Sequence, residues 1–355
     1  MCKSKIDKPY FTNINKQTMK LKHLSFVFGL CAVLASCSVD YLTEPDFPAG
    51  ITAEETFLNL TVTDSYQTKA TGVNPADEKK INGVQAFVFG EDGALEAYQS
   101  SQSTSLQIRC TTGPKKLFVF ANAPSLADVY DQNALNQKVS RLTDNYSGSF
   151  VMVSGQKDIN LSSEGANNMS VVVERIAARV EIAKITNAMS SVQHQAKTFK
   201  VLAAYLTNVA ANAPYCLEAA PTDYYNKLGY QSSEADALVY DNFSGGIQLN
   251  HGASINTSHY LYAYPNPSTD DTSHGAPWSP RCTKLVIKAS LDNVVYYYPI
   301  VVAVPLTGNH SYKIEEIRIT RPGSKDEDTP VTFADCSFTI TVSDWSQQNI
   351  GPVEI

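Results

Sequence analysis

Short runs of β-branched, aromatic and alternating apolar residues recur along almost the whole chain. In the first run, residues 57–63, Leu58, Leu60 and Val62 share one face, and most side chains on the other face are polar. A period of two predicts a half-buried strand. Similar runs follow at residues 84–89, 106–110, 116–121, 169–186, 199–209, 259–264, 283–289, 294–304 and 312–319. Many short strands with few helices are typical of β-sandwiches, so we expect an all-β chain with a few short helices.

The segments between these runs predict turns, a short helix and a domain boundary. Asp292 and Asn293 separate two strand runs and suit a hairpin turn. Ser125 is a suitable N-cap for a short helix. The polar stretch 187–197 divides the chain into two halves of similar composition. We therefore predict two tandem sandwich domains, at residues 56–190 and 191–355.

The overall composition indicates a folded protein without affinity for nucleic acid. Of the 355 residues, 43% are hydrophobic and 18% are charged, and the formal net charge is −7. Because an acidic chain without a basic stripe is repelled by phosphates, no nucleic-acid partner is predicted.

Residues 19–37 have the layout of a bacterial lipoprotein signal. Lys20 and Lys22 precede an apolar stretch that is too short to span a bilayer well. Leu34-Ala-Ser-Cys37 then matches a lipobox, which predicts that the Cys37 thiol is acylated. An ordinary secretory signal and a buried helix are the alternatives.

The lipoprotein interpretation also divides the beginning of the chain. Residues 1–36 would form a leader and signal peptide, in which Met19 is a candidate start of translation. Residues 37–55 are polar and acidic and would form a tether between the lipid and the first strand. The protein is then expected outside the cytoplasm, attached to a membrane through its lipid.

Four cysteines remain after this signal and leave two possibilities open. Two disulfides could form in an oxidising compartment, or the thiols could be buried and reduced, because each lies in or beside an apolar segment. The four residues are Cys110, Cys216, Cys282 and Cys336.

Motifs for catalysis and for cofactors are missing from the sequence. It contains no HExxH, GxSxG, P-loop or GxGxxG pattern. We therefore predict no catalytic residue, metal ligand or cofactor, and no enzymatic activity. The acidic run 325–328 is interpreted as a solvated loop, with a weak cation site as the alternative. The tyrosines of the loop-rich segment 211–246 are expected to pack at the surface, with stacking on a sugar or partner as the alternative.

Several blocks of the sequence together resemble the fimbrillins, the type V pilins of Bacteroidales bacteria. Besides the lipobox, the blocks are FLNLTVTDSYQTKATG, VQAFVF, FVFANAP, VVVERIAARVEIAKI, NHSYKIEEIRI and FTITVSDWSQQNIGPVEI. The resemblance implies two transthyretin-like β-sandwich domains in tandem. It also implies a lipoprotein that reaches the outer membrane, loses its first strand to a trypsin-like protease, and accepts a strand from another subunit in the vacated groove.

The resemblance assigns the processing site to the segment that follows the first strand. Lys69 is the only Lys or Arg between Cys37 and Lys79, so cleavage is expected between Lys69 and Ala70. Residues 56–69 would then be removed, and Leu58, Leu60 and Val62 would form the displaced apolar face. Two arginines of the VVVERIAAR block, Arg175 and Arg179, lie in an apolar region and are expected to be structural rather than cut.

The resemblance also makes the end of the chain, residues 336–355, the candidate donor segment. Phe338, Ile340 and Val342 alternate with polar residues, as in a strand with one apolar face. Asp344 and Trp345 interrupt the period, as a turn or bulge would, and Val353 and Ile355 resume it. The alternative is that this segment is the last core strand of its own domain.

The resulting functional prediction is a structural subunit of adhesive type V fimbriae at the cell surface. Its expected partners are further copies of itself, tip and anchor subunits, the processing protease and, before cleavage, the outer membrane. One alternative is an anchor or tip-adhesin subunit. The other is a surface lipoprotein of a different class that binds or acts on glycans.

Overall fold

A computed structural model of the chain describes residues 53–65, 78–216, 220–225, 238–269, 281–329 and 335–344. These residues belong to one compact unit, Phe47–Ile355. The described part is almost entirely β-structure, which confirms the predicted fold class. Its helices are short: α1 (Gln132–Asn136), α2 (Val192–Gln195) and one 3-10 turn (Leu142–Asp144).

The first half of the chain forms one extended set of paired strands. Its strands are β1 (Glu55–Asp64), β2 (Val84–Phe89), β3 (Leu95–Ser101), β4 (Ser105–Thr111), β5 (Gly113–Ala121), β6 (Val139–Arg141), β7 (Met152–Val153), β8 (Lys157–Leu161) and β9 (Asn167–Arg175). The order is β3-β2-β5-β7-β9-β1-β4, with β8 beside β5. Strand β6 lies outside this sheet and pairs antiparallel with residues Asn212–Pro214 of the second half. Strand β9 connects two ladders, because its first residues pair with β1 and its last two pair with β7.

The second half forms two larger sheets and two short ladders. Its strands are β10 (Ala178–Ile182), β11 (Ile185–Asn187), β12 (Phe199–Thr207), β13 (Val209–Ala210), β14 (Asn212–Pro214), β15 (Tyr224–Tyr225), β16 (Tyr240–Gln248), β17 (Ser254–Ile255), β18 (His259–Ala263), β19 (Lys284–Leu291), β20 (Val294–Val301), β21 (His310–Ile319) and β22 (Cys336–Asp344). One sheet has the order β17-β11-β21-β10-β18, with β22 beside β21, and the other has the order β16-β12-β19-β20.

Strand pairing changes from the first half to the second earlier than the predicted boundary after residue 190. β10 and β11 pair with β18, β21 and β17, all of which lie in the second half. The change occurs at Ile176 and Ala177, between β9 and β10. Both residues are buried and apolar, so the sequence there carries no turn signal. The polar stretch 187–197 contains α2 instead. The division into two domains stays a prediction.

The helix predicted at Ser125 is wrong. Helix α1 begins at Gln132, and its N-cap is Asp131, whose carboxylate accepts a hydrogen bond of 2.6 Å from the Ala134 N–H. The segment at Ser125 is held differently, because the Leu126 N–H donates to the Gln85 side-chain oxygen at 2.8 Å.

The hairpin predicted at Asp292 and Asn293 is confirmed. It joins β19 to β20, and both central residues have positive φ, at 49° and 66°. Two left-handed residues in a two-residue loop match the right-handed twist of the flanking strands, and Asp and Asn tolerate that conformation better than most side chains.

The interpretation of the acidic run 325–328 as a solvated loop is wrong for its last two residues. Asp328 accepts from Arg281 at 2.7 Å and from Lys284 at 3.0 Å, and both cations are buried. Glu327 accepts from the Tyr205 hydroxyl at 2.5 Å. The loop is therefore an ion-paired part of the fold.

In the tyrosine-rich segment 211–246, Tyr224 is buried in the β13–β15 ladder.

Candidate functional site

Strand β1 lies between two partners and buries one apolar face completely. It pairs antiparallel with β4 and parallel with β9. Leu58, Leu60 and Val62 are 1%, 1% and 2% exposed. Leu60 lies opposite Leu106 of β4 and Met169 of β9. The predicted displaced face is therefore part of the hydrophobic core.

The outer face of β1 carries a row of polar contacts. Asn59 donates to Asn168 at 3.0 Å and accepts from Gln107 at 3.0 Å. Arg109 pairs with Glu55 at 2.5 Å, and this hydrogen bond holds the pKa of the Glu55 carboxyl below its usual range. Since these side chains are solvated, the row contributes little to stability. The contacts of Asn59 join residues at opposing positions, so they favour the observed register of β1 with β4 and β9.

The carboxyl end of β1 is clamped by a buried arginine. Arg175, at the end of β9, donates two hydrogen bonds to the Asp64 carboxylate, at 3.2 and 2.9 Å. Its side chain is 0% exposed and that of Asp64 is 11% exposed. Arg175 also donates from Nε to the Glu78 carbonyl at 2.8 Å. Such a two-pronged, desolvated ion pair is geometrically specific.

Glu78 is the first described residue after the segment 66–77, and it is buried in a second ion pair. Its carboxylate accepts from Arg179 at 2.8 Å and from the Tyr262 hydroxyl at 2.6 Å. Arg179 also donates to Ser311 of β21 at 3.0 Å. Burial, together with the Glu78 carboxylate, raises the pKa of Tyr262. Asp64, shortly before the segment 66–77, and Glu78, directly after it, are therefore bound by the two arginines of the VVVERIAAR block.

Strand β22, the candidate donor, lies at the edge of its sheet. Among the described residues it pairs with β21 alone, with Ile340 opposite Ile314 and Val342 opposite Tyr312. Cys336 is buried, Phe338 and Ile340 are half-buried, and Val342 is 52% exposed. Burial therefore declines along the strand, although the apolar alternation in the sequence does not.

Six residues of the predicted sites lie outside the described part of the chain. They are the lipidation site Cys37, the processing site Lys69 and Ala70, and the donor residues Trp345, Val353 and Ile355. Arg175 and Arg179 are buried ion-pair partners, in agreement with their predicted structural role.

Within the described residues, no cluster of three His, Cys, Asp or Glu side chains could hold a metal ion. A helix long and apolar enough to cross a bilayer is likewise not found in that part of the chain.

Burial raises the pKa of the Cys110 and Cys336 thiols to about 12.

A model of the major fimbrial subunit protein (FimA) family matches residues 56–239. The chain belongs to this family. Among curated proteins, no sequence matches it. The match begins at the second residue of β1 and includes both buried arginines, Arg175 and Arg179.

Solved structures of fimbrial and cell adhesion proteins have a similar fold. A fimbrilin from Porphyromonas gingivalis is 16% identical with a TM-score of 0.59, and 81% of this chain and 97% of that chain are covered. A candidate cell adhesion protein from Bacteroides eggerthii is 17% identical with a TM-score of 0.60, at coverages of 83% and 97%. The C-terminally truncated tip fimbrial protein Mfa3 from P. gingivalis is 12% identical with a TM-score of 0.51, at coverages of 82% and 100%.

Family membership gives the broad function. The chain is a structural, non-enzymatic fimbrial subunit of the cell surface that interacts with other fimbrial subunits. The residues that sequence reasoning missed are Asp64, Glu78 and Tyr262. The two acids lie on either side of the segment 66–77, and the charged VVVERIAAR block was the available signal, because buried arginines require acidic partners.

Proposed function

We propose that this fimbrial subunit is exported as an outer-membrane lipoprotein through Cys37, processed after Lys69, and polymerised by donor-strand exchange into adhesive fimbriae. A trypsin-like protease would cut between Lys69 and Ala70. Strand β1 would then leave, and the C-terminal segment of another copy would occupy its groove.

The position of β1 carries this proposal. The strand lies between β9 and the edge strand β4, and the segment that contains Lys69 connects it to the strands that follow. Removing it would uncover the ladder edges of β4 and β9 and an apolar trough that Leu58, Leu60 and Val62 now fill. Such an edge is a template for β-augmentation. Because the donor and acceptor surfaces differ, the contact repeats head to tail and builds a filament.

Cleavage alone would not expel β1. Each of its three buried apolar side chains contributes roughly 1.5–3 kcal/mol, and each ladder hydrogen bond about 0.5–1.5 kcal/mol. The cut makes β1 a separate peptide, so a competing strand of similar shape can replace it. Processing therefore permits exchange, and the incoming strand drives it.

The state of β22 supports its role as that competing strand. At its sheet edge it has one described neighbour, and Val342 is 52% exposed. In the groove of β1 the same residues would have two neighbours and complete burial. The exchange would therefore bury apolar surface that the unassembled subunit leaves in water.

Export and lipidation are tested with Cys37→Ala and a palmitate label. We expect wild-type precursor to incorporate palmitate and the variant to incorporate none, while a Cys110→Ala control labels normally. Normal labelling of Cys37→Ala would contradict the lipoprotein assignment.

Processing is tested by N-terminal sequencing of fimbriae and by Lys69→Ala. We expect assembled subunits to begin at Ala70, and Lys69→Ala to accumulate as an uncut, unassembled lipoprotein. The matched control is Lys79→Ala with Lys80→Ala, which should be cut and assembled as wild type. Assembled subunits that begin at Cys37 would rule out the cleavage.

The donor assignment is tested by a chain that ends at Asp335. It should be exported and cut, yet form no SDS-resistant ladder. A normal ladder would refute the donor role, and failure to fold would make β22 a core strand of its own domain. If the wild-type chain is uncut and found only at the base of fimbriae, it is an anchor subunit. If it is found only at their outer end, it is a tip adhesin. A single monomeric band with bound glycan would indicate a surface lipoprotein that binds or acts on glycans.

A further inference from the structure

Strand β1 and strand β22 carry the same residue pattern, including the acidic residue that follows the apolar alternation. Residues 58–64 read LNLTVTD and residues 338–344 read FTITVSD, with identical residues at three of the seven positions. Leu58, Leu60 and Val62 correspond to Phe338, Ile340 and Val342. In this alignment Asp64 corresponds to Asp344, with the same spacing from the preceding valine.

The acidic residue matters because of what it meets in β1. Asp64 is bound through both oxygens by Arg175, whose side chain has no exposed surface. If β1 leaves the groove, this guanidinium loses both of its hydrogen bonds to the Asp64 carboxylate. Breaking a buried ion pair by removing one member is strongly destabilising, so a replacement strand with only apolar residues would leave the acceptor incompletely restored.

We propose that Asp344 of an incoming copy of this chain takes the place of Asp64 and binds Arg175 of the acceptor subunit. This inference rests on the proposed strand exchange and adds to it the residue that selects and aligns the donor. The apolar side chains fill the trough, and the Asp344 carboxylate reaches Arg175 only when the strand is fully inserted.

The pairing with Arg175 also sets the direction and register of the donor. An alternating apolar strand fits the trough in either direction, and a shift by two residues keeps the same face inward. Only one direction and one register bring Asp344 to Arg175. In that register the donor runs parallel to β9, as β1 does, and Thr341 occupies the position of Thr61, opposite Ser105 of β4.

The first test separates the two aspartates by the state in which each one acts. Asp64→Asn should lower the melting temperature of the uncut precursor, held in the Lys69→Ala background, and should leave assembled fimbriae with wild-type thermal resistance in SDS. Asp344→Asn should leave the melting temperature of the uncut precursor unchanged and should lower the thermal resistance of assembled fimbriae in SDS. We expect fimbriae of Asp344→Asn to dissociate at least tenfold faster than wild type, and Asp344→Glu to recover part of the difference.

A structural role of Asp344 within its own subunit would instead lower the melting temperature of the Asp344→Asn precursor, and that outcome would overturn the proposal. Ser343→Asn is the matched control, because the neighbouring side chain lies on the opposite face of the strand. If Asp64→Asn fails to export, the Asp344 variants still decide the question. Equal dissociation rates of Asp344→Asn and wild-type fimbriae would also overturn the proposal.

The second test fixes the register with a disulfide between subunits. Thr341→Cys combined with Ser105→Cys should give a covalent ladder under non-reducing conditions. Thr339→Cys combined with Ser105→Cys should give none, and a ladder there would place the donor reversed or shifted by two residues. If the chain that ends at Asp335 fails to assemble while Asp344→Asn assembles as wild type, donor-strand exchange stands and only the role of Asp344 falls.

Discussion

The Tyr262 hydroxyl donates a hydrogen bond of 2.6 Å to the Glu78 carboxylate, a contact between residues 184 positions apart in the sequence. Glu78 is also bound by Arg179 at 2.8 Å, so one buried carboxylate joins the residue after the segment 66–77 to β10 and β18. Strand β1 ends at Asp64, which belongs to the neighbouring ion pair with Arg175. The fold thus places a buried ion pair on either side of the segment expected to be cut.

Tyr262→Phe is expected to destabilise the subunit by about 1–3 kcal/mol, because the buried Glu78 carboxylate loses one of its donors. The measurement is urea unfolding of the uncut Lys69→Ala chain. Tyr146→Phe is the control, since Tyr146 is exposed at 62%, and its midpoint should stay within about 0.5 kcal/mol of wild type. Equal midpoints for the two variants would contradict the inferred contribution.

Asp328 is expected to make the subunit sensitive to acid. Burial raises its pKa, but the Arg281 and Lys284 partners outweigh that effect and lower it below 3.8. A lowered native pKa means that the stabilisation is complete at neutral pH and is lost as the pH falls through the native value. Asp328→Asn should therefore cost about 3 kcal/mol at pH 7, because two buried cations lose this carboxylate.

The difference between wild type and Asp328→Asn should shrink when unfolding is measured from pH 5 down to pH 2. Asp326→Asn is the matched control from the same loop. The pKa of Asp326 is also lowered, mainly by its hydrogen bond from Thr329, but the residue contacts neither cation. A difference that stays constant over this pH range would contradict the ion-pair account.

Asn293 tests the backbone of the β19–β20 hairpin. Its φ of 66° costs a residue with a Cβ roughly 1–2 kcal/mol, and Asn offsets part of this cost. We expect Asn293→Ala to destabilise the chain by about 1 kcal/mol and Asn293→Gly to stay within about 0.5 kcal/mol of wild type. Thermal unfolding of both variants provides the measurement, and equal losses would mean that the side chain rather than the backbone stabilises the turn.

Cys110 is expected to react slowly with iodoacetamide in the folded chain at pH 8. Burial, assisted by Glu96, raises its thiol pKa to about 12, so the reactive thiolate is scarce. Mass spectrometry should find Cys216, which is half-buried, labelled before Cys110, and both labelled equally in guanidinium. Prompt labelling of Cys110 in the native chain would mean that the reagent reaches β4, and it would contradict the burial of this thiol beside β1.

Local patterns in the sequence predicted the fold class and the faces of individual strands. Leu58, Leu60 and Val62 were predictable because a strand alternates its side chains regardless of what it packs against. The break between β9 and β10 was not predictable, because Ile176 and Ala177 are buried at a point where the chain changes sheets. A continuous apolar run looks the same whether it forms one strand or two.

The contacts that complete the candidate site depend on residues far apart in the sequence. Asp64 and Arg175 are 111 positions apart, and each is locally an ordinary charged residue. Their pairing follows from the parallel register of β1 and β9, which puts Asp64 opposite Val173. That register is a property of the assembled sheet, so the sequence could indicate a structural role for Arg175 but not name its partner.

Leu60 and Ile340 should respond oppositely to truncation in the precursor and in fimbriae. In the uncut Lys69→Ala chain, Leu60→Ala leaves a cavity in the core and should cost about 2–5 kcal/mol. Ile340→Ala should cost less, about 1 kcal/mol, since Ile340 is half-buried on an edge strand. After processing and assembly the order should reverse, because in the proposed exchange β1 leaves and β22 fills its groove.

The comparison needs thermal dissociation of purified fimbriae beside urea unfolding of the precursor. Val172→Ala serves as the control in both measurements, because Val172 is 47% exposed on the outer face of β9. Fimbriae of Leu60→Ala should match wild type, whereas fimbriae of Ile340→Ala should dissociate at lower temperature. If Leu60→Ala weakened the fimbriae as much as it weakened the precursor, β1 would still occupy its groove in the polymer, and the subunits would be joined through a different surface.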